Sequence, residues 1–241
     1  MTQHTTTQHT MKHVLTGAGS GIGLALAQRL AERGDQLVLV ARNDARAAEL
    51  EDTFPRAQVL VADLADPGTL NGLGRQVDGG VDTLLHVAGV VELAPVGRLR
   101  LADWEEQLAV NLTAPAVLTR ELLPHLRGSR GTVVFVNSSA GLTAGAEWSA
   151  YAASKFGLRA FADSLRAEEV ESGVRVSTVY PSRTATPMQE KVHEQEGRTY
   201  DSSRWISAET VVDTILHVID LPPDATIPDV TVRPVVPRPG T

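Results

Sequence analysis

The stretch "TGAGSGIG", Thr16–Gly23, decides how the chain is read. Four glycines in eight residues weaken any helix or strand built from them. They stand between the short apolar run Val14-Leu15 and a helical pattern that places Ile22, Leu26 and Leu30 on one stripe and stops at Gly34. A strand, a glycine turn and a helix start in that order point backbone N–H groups and the helix dipole at one spot, which favours a phosphate. The glycines let the backbone turn tightly, approach a pyrophosphate and pack the helix on the sheet. The spacing is G-x-x-x-G-x-G, carried by Gly17, Gly21 and Gly23, with Gly19 inside the loop beside Ser20 and Ile22.

Outward from this turn the chain alternates between two textures. Short, β-branched, apolar runs recur at 36–40, 58–62, 82–88, 131–137 and 174–180. Apolar on both faces, they read as strands of a parallel sheet. Helical patterns lie between them. "DARAAELEDT" follows the second strand, and "PGTLNGLGRQV" follows the third with Pro67 at a first helical position. In "DWEEQLAVNLTAPAVLTRELLPHL", Asp103 and Glu106 have capping-box spacing and Pro115 predicts a kink. "SAYAASKFGLRAFADSLRAEEVESG" and "SAETVVDTILHVIDLPP" complete the series. Strand and helix in repeated succession with short joins predict right-handed crossovers onto a doubly wound parallel sheet, a single α/β (Rossmann-type) domain over 12–241. Residues 1–11 read as a disordered polar tail, and His4, His9 and His13 as solvated rather than metal-binding. The polar, weakly periodic segment 184–205 reads as a lid or disordered loop over a substrate pocket.

Composition narrows the function classes. The formal charge is −7, from 29 acidic and 22 basic residues without a basic block, which argues against nucleic acid as the main partner. There is no cysteine, hence no disulfide, no thiolate chemistry and no Cys-ligated metal; no metal site is expected. That usage fits a reducing cytoplasm. No apolar run of about 18 residues suggests a membrane span, and the first dozen residues lack the apolar core of a signal peptide.

Two further groups carry chemistry. Residues four apart share a helix face, so Lys155 can lie beside Tyr151. A phenol with a pKa near ~10 is a poor base at neutral pH; a neighbouring ammonium favours the phenolate and makes it a usable proton donor and acceptor. Ser138 ends a predicted central strand thirteen residues earlier. Ser139 is turned to the opposite face by strand alternation.

These residues resemble the short-chain dehydrogenases/reductases, in their short single-domain branch. "TGAGSGIG" is similar to that family's cofactor loop, "ADL" at 62–64 to its third strand end, and "HVAG" at 86–89 to its N-N-A-G. Asn111 in "AVNLTAP", "NSSAG" at 137–141, Tyr151 and Lys155 in "YAASKFGL", and "YPSRTATPM" at 180–188 continue the likeness over most of the chain. The resemblance implies a sheet in the order 3-2-1-4-5-6-7, with a last strand from "DVTVRP". It implies that Tyr151 transfers a proton, Ser138 orients the carbonyl, and Lys155 binds the nicotinamide ribose and tunes Tyr151. Asn111 would hold a relay water or satisfy the backbone near a helix bend, or both. Asp63 and Leu64 would meet the adenine. Ala88, Gly89, Pro181, Thr184 and Thr186 would line the remaining cofactor site. Two residues depart from the pattern: His86 replaces Asn and reads as a structural histidine, and Ser182 replaces Gly.

The second strand ends at Ala41-Arg42, where an NAD site usually has a carboxylate. A guanidinium there would clamp the 2′-phosphate of NADP, with Asn43 adding a bond. The expectation is therefore hydride transfer between NADP(H) and a ketone or aldehyde–alcohol pair. The alternatives are an NAD-dependent alcohol dehydrogenase on the same scaffold and a non-catalytic cofactor-sensing regulator. Val90, Val91, Leu93, Leu142, Trp148 and Met188 suggest an apolar pocket without an anchoring charge for a small-molecule substrate. The resemblance also implies a homodimer or homotetramer paired through the two long helices, about 103–126 and 149–172.

Overall fold

Strands β1 (Lys12–Thr16), β2 (Gln36–Ala41), β3 (Gln58–Val61), β4 (Thr83–His86), β5 (Thr132–Val136), β6 (Arg175–Pro181) and β7 (Asp229–Val232) pair in parallel in one sheet of order β3-β2-β1-β4-β5-β6-β7. They belong to a computed structural model that describes residues 10–235. The sheet order expected from the sequence is the one found.

The unbroken apolar runs explain the layering. Successive side chains point to opposite faces, so each central strand feeds two cores. Leu15, Leu39, Leu85 and Val134 pack on one face, against α1 (Gly21–Glu32), α2 (Asp44–Thr53) and α7 (Ala208–Ile219). Val14, Val40, Leu84 and Phe135 pack on the other, against α4 (Ala114–Ser129) and α5 (Ser149–Glu168). Each fully buried Leu or Phe contributes roughly 1.5–3 kcal/mol over an exposed one. Burial on both faces fixes every crossover, and so sets the strand C-termini side by side along one edge.

Several local expectations change. The tail does not extend to residue 11: the Met11 N–H donates to Asp35 Oδ1, and its carbonyl accepts from the Gln36 N–H. Residues 1–9, with His4 and His9, lie outside the described residues. His13 is buried in β1, bonded through Nδ1 to Thr83 Oγ1 at 2.6 Å with Nε2 3.2 Å from Asp35. The segment after β3 forms two 3₁₀ turns, Pro67–Leu70 and Leu73–Gln76, not a helix. Gly72, at φ +78°, breaks it between them. α3 (Leu101–Leu108) starts two residues before Asp103, so no capping box forms; Asp103 pairs instead with Arg100. A π turn, Ala109–Thr113, joins α3 to α4 directly before Pro115, which lies in the first turn of α4. The segment 184–205 is ordered and contains α6 (Pro187–Gln195), capped by Thr186.

Candidate active site

The C-terminal strand ends open into a cleft of about 530 Å³. Its first wall is the turn between β1 and α1. Gly17 has φ +82°, and a Cβ there would stand 2.8 Å from the Ala88 nitrogen. A Cβ on Gly23 would stand 2.0 Å from the Gly17 carbonyl oxygen. The turn therefore closes tightly only with glycine, and its backbone lies against the end of β4. Ser20 is the N-cap of α1 but its side chain makes no capping bond. The helix N-terminus thus faces the cleft with N–H groups free of side-chain partners, which suits a phosphate.

Gly17, Gly19, Ser20, Gly21, Ile22, Gly23, Arg42, Asp63, Leu64, Ala88, Gly89, Ser138, Tyr151, Pro181, Thr184 and Thr186 line this one cleft. Asn43 does not. Its side chain caps α2, accepting from the Arg46 N–H at 2.9 Å. Arg46 lines the cleft instead, its guanidinium 3.2 Å from where a Gly19 Cβ would be, and it pairs with Glu49. Arg46 was not among the residues expected here; its place one turn beyond Arg42, behind an Asn cap, was the available signal. Ser139 also lines the cleft, because the chain turns into a 3₁₀ turn after Ser138 instead of continuing as a strand.

Tyr151 is buried in the cleft wall at the first turn of α5. Burial raises its phenol above the ordinary value, while a hydrogen bond with Ser138 pulls the other way. Lys155 lies behind it, its Nζ 5.7 Å from the Tyr151 ring centre and donating to the Val136 carbonyl at 3.2 Å. Burial lowers Lys155 to about 8. In the chain alone desolvation is the largest influence on Tyr151 and outweighs the pull of Ser138. Asn111, in the π turn, uses its side-chain amide to brace the wall: Oδ1 accepts from the Val90 N–H, and Nδ2 donates to the Val90 carbonyl and Ser154 Oγ. Lys155 and Asn111 stand behind the lining, close to Gly89, where a Cβ would come 3.3 Å from Asn111 Oδ1 and 3.7 Å from Lys155 Nζ.

Residues 12–197 match the family model described as short chain dehydrogenase. The chain belongs to that family. Among relatives of this short-chain dehydrogenase is the 1-deoxy-11-beta-hydroxypentalenate dehydrogenase of Streptomyces exfoliatus, 36% identical over 86% of this chain and 78% of that one. A metagenomic short-chain oxidoreductase solved in complex with NADP is 28% identical, with TM-score 0.78 over 94% of this chain and 98% of that one. An Escherichia coli CFT073 protein described as a short chain dehydrogenase, complexed with NADPH, is 26% identical, with TM-score 0.83 over 93% and 97%.

The far end of the dehydrogenase cleft is not purely apolar. Val91, Val110, Met188 and Val192 line it, but so do Glu106, Gln189 and Arg183. His86 sits at the end of β4 away from this chemistry, stacked 4.9 Å from Phe135 and bonded to Thr119 Oγ1 at 2.9 Å. Burial pushes it down to about 3. Among the described residues no helix is long and apolar enough to cross a membrane.

Proposed function

We propose that this oxidoreductase transfers a hydride between NADP(H) and a ketone or aldehyde–alcohol pair, with Tyr151 as proton donor and acceptor. The observation that carries the reading is Tyr151, buried in the wall of the cleft beside Ser138 and backed by Lys155, in a cleft that begins at a glycine-lined helix N-terminus. The cradle fits a dinucleotide: Gly17 and Gly23 leave no room for a Cβ, and Ser20 leaves the α1 N–H groups to a phosphate. When bound, the cofactor supplies the hydride and, oxidised, a positive charge beside Tyr151.

In the reducing direction Ser138 donates a hydrogen bond to the carbonyl oxygen and holds it against Tyr151. The Tyr151 O–H then gives its proton to that oxygen as the carbonyl carbon is reduced. Lys155, behind Tyr151, would hold the ribose and would support the phenolate left behind. Asn111 keeps the wall next to Lys155 in register and stands where a relay water would pass protons to bulk. Arg42 and Arg46 would grip a 2′-phosphate, with no strand-end carboxylate to repel it. The NADP- and NADPH-bound neighbours support the same cofactor. Thr186 lies 3.2 Å from where a Gly21 Cβ would be, so the 184–205 segment reaches back over the loop as a lid. A cysteine-free chain suits the cytoplasm.

Tyr151→Phe tests the reading, since it removes one hydroxyl and leaves the ring. NADPH affinity should hold while kcat falls by about 10²-fold or more. A variant that keeps most of its turnover of a ketone would overturn the mechanism.

A further inference from the structure

Arg183 is a cation in the lining of the cleft, yet both of its Nη groups are engaged. Its Nη1 donates to Glu196 Oε2 at 2.9 Å and its Nη2 to Oε1 at 2.5 Å, a bidentate pair in which the two side chains are only 13% and 11% exposed. Its guanidinium lies 5.7 Å from the Trp148 ring and 5.6 Å from the Trp205 ring. Burial works to raise the Glu196 carboxyl, but the bonds and charge of Arg183, with Arg198 3.6 Å away, hold it below its ordinary value. The wall is therefore a closed ion pair. A bidentate carboxylate uses the planar fork that would otherwise recognise an anion. The same Trp148 packs edge-on against Tyr151, with ring centres 5.7 Å apart, so this wall borders the place where the carbonyl must sit. The lining also carries the carboxyl side chain of Glu106.

We propose that Glu196, by pairing with Arg183, withholds that cation from the cleft and restricts the substrate to uncharged carbonyl compounds and alcohols with an apolar body, excluding carboxylate-bearing ones such as oxo acids. This rests on the hydride-transfer reading and names its substrate class. A substrate carboxylate entering here would lose its water and meet valines, an indole and Glu106, with the end-on Nη fork of Arg183 already taken by Glu196. Glu196 is the specificity-determining residue, because it withholds Arg183.

Two probes of one shape test this: 4′-methylacetophenone, which is neutral, and 4-acetylbenzoate, which is anionic. Binding of each to the protein saturated with NADP⁺ is read from tryptophan fluorescence, so turnover is not required. The wild type should bind the neutral ketone at least tenfold more tightly. Glu196→Gln, which leaves one charge of the pair unopposed, should narrow that ratio at least tenfold through tighter binding of the anion. Arg183→Met combined with Glu196→Gln should abolish the gain. A wild type that prefers the anion or binds both alike overturns the proposal, independently of how the variants fold. So does failure of the neutral probe to bind while NADP⁺ binds, a folded Glu196→Gln protein that binds the anion no better than the wild type, or a gain that survives without Arg183 and so comes from Arg198. Failure of the hydride-transfer reading looks different: it appears as no nicotinamide binding or as an undiminished Tyr151→Phe enzyme.

Discussion

Arg46 shows what a single side chain adds to the cofactor end of the cleft. The sequence pointed to Arg42 and Asn43 after β2, but a residue preceding a helix is first of all its cap, and the Asn43 oxygen is used on the Arg46 N–H. Capping aims the first turn of α2 so that Arg46 reaches Gly19. Two guanidiniums without an opposing strand-end carboxylate should favour NADPH over NADH by at least tenfold in kcat/KM, about 1.4 kcal/mol. Arg42→Ala and Arg46→Ala should each narrow that gap mainly through the NADPH KM. Steady-state kinetics with both cofactors checks it, and equal values would return the reading to an NAD-dependent enzyme. Tyr151, Ser138 and Lys155 were legible because their spacing fixes their neighbours. The raised phenol was not, because desolvation depends on all that packs around the group, and no spacing reports that.

At the scale of elements, strands were the most legible. Their apolar runs are buried on two faces, and that condition leaves little freedom in pairing. Turns and helix starts were read less well because they answer to single contacts. Arg100 takes the Asp103 carboxylate that would have capped a helix, and Gly72 divides what looked like one helix into two turns. The turn between β1 and α1 makes the sharpest prediction. Gly23→Ala would drive a methyl into the Gly17 carbonyl, 2.0 Å from its Cβ, and the backbone of the loop has to yield. NADPH binding measured by fluorescence should fall at least tenfold, and thermal unfolding should drop by an amount consistent with about 1–3 kcal/mol of overpacking. Alanine at Gly97, where no atom lies within 4 Å of the added Cβ, is the matched control and should change neither. Unimpaired NADPH binding by Gly23→Ala would mean that the turn does not hold the phosphate.

For the whole molecule, stability in acid should follow the buried histidines. His86 in the folded chain is pushed down to about 3 from 6.5. Its contribution is therefore complete above about 6.5 and is lost as pH falls toward 3, because the unfolded chain takes up the proton first. His13, also lowered by burial, acts in the same direction. His86→Asn should make the fall of Tm between pH 7 and pH 4 shallower without abolishing it, whatever the variant loses in stacking on Phe135. An unchanged slope would remove His86 as a source. The second whole-molecule property is assembly. α5 buries one face on the sheet, through Leu158, Ala162 and Leu165, and turns Phe156 outward at 41% exposure in the middle of the helix. Leu101, at the start of neighbouring α3, is 69% exposed. A phenylalanine on an outer helix face loses contact with water only against another chain, and a stable pair of subunits needs roughly 1,200–2,000 Å² of such surface. A homodimer or homotetramer paired across the α4–α5 layer should therefore appear in light scattering as two or four chain masses. Phe156→Glu should shift it toward the monomer with Tm falling as subunits part, since folding and association are linked. A wild-type monomer mass at micromolar concentration would overturn the assembly, while leaving the chemistry of Tyr151 untouched.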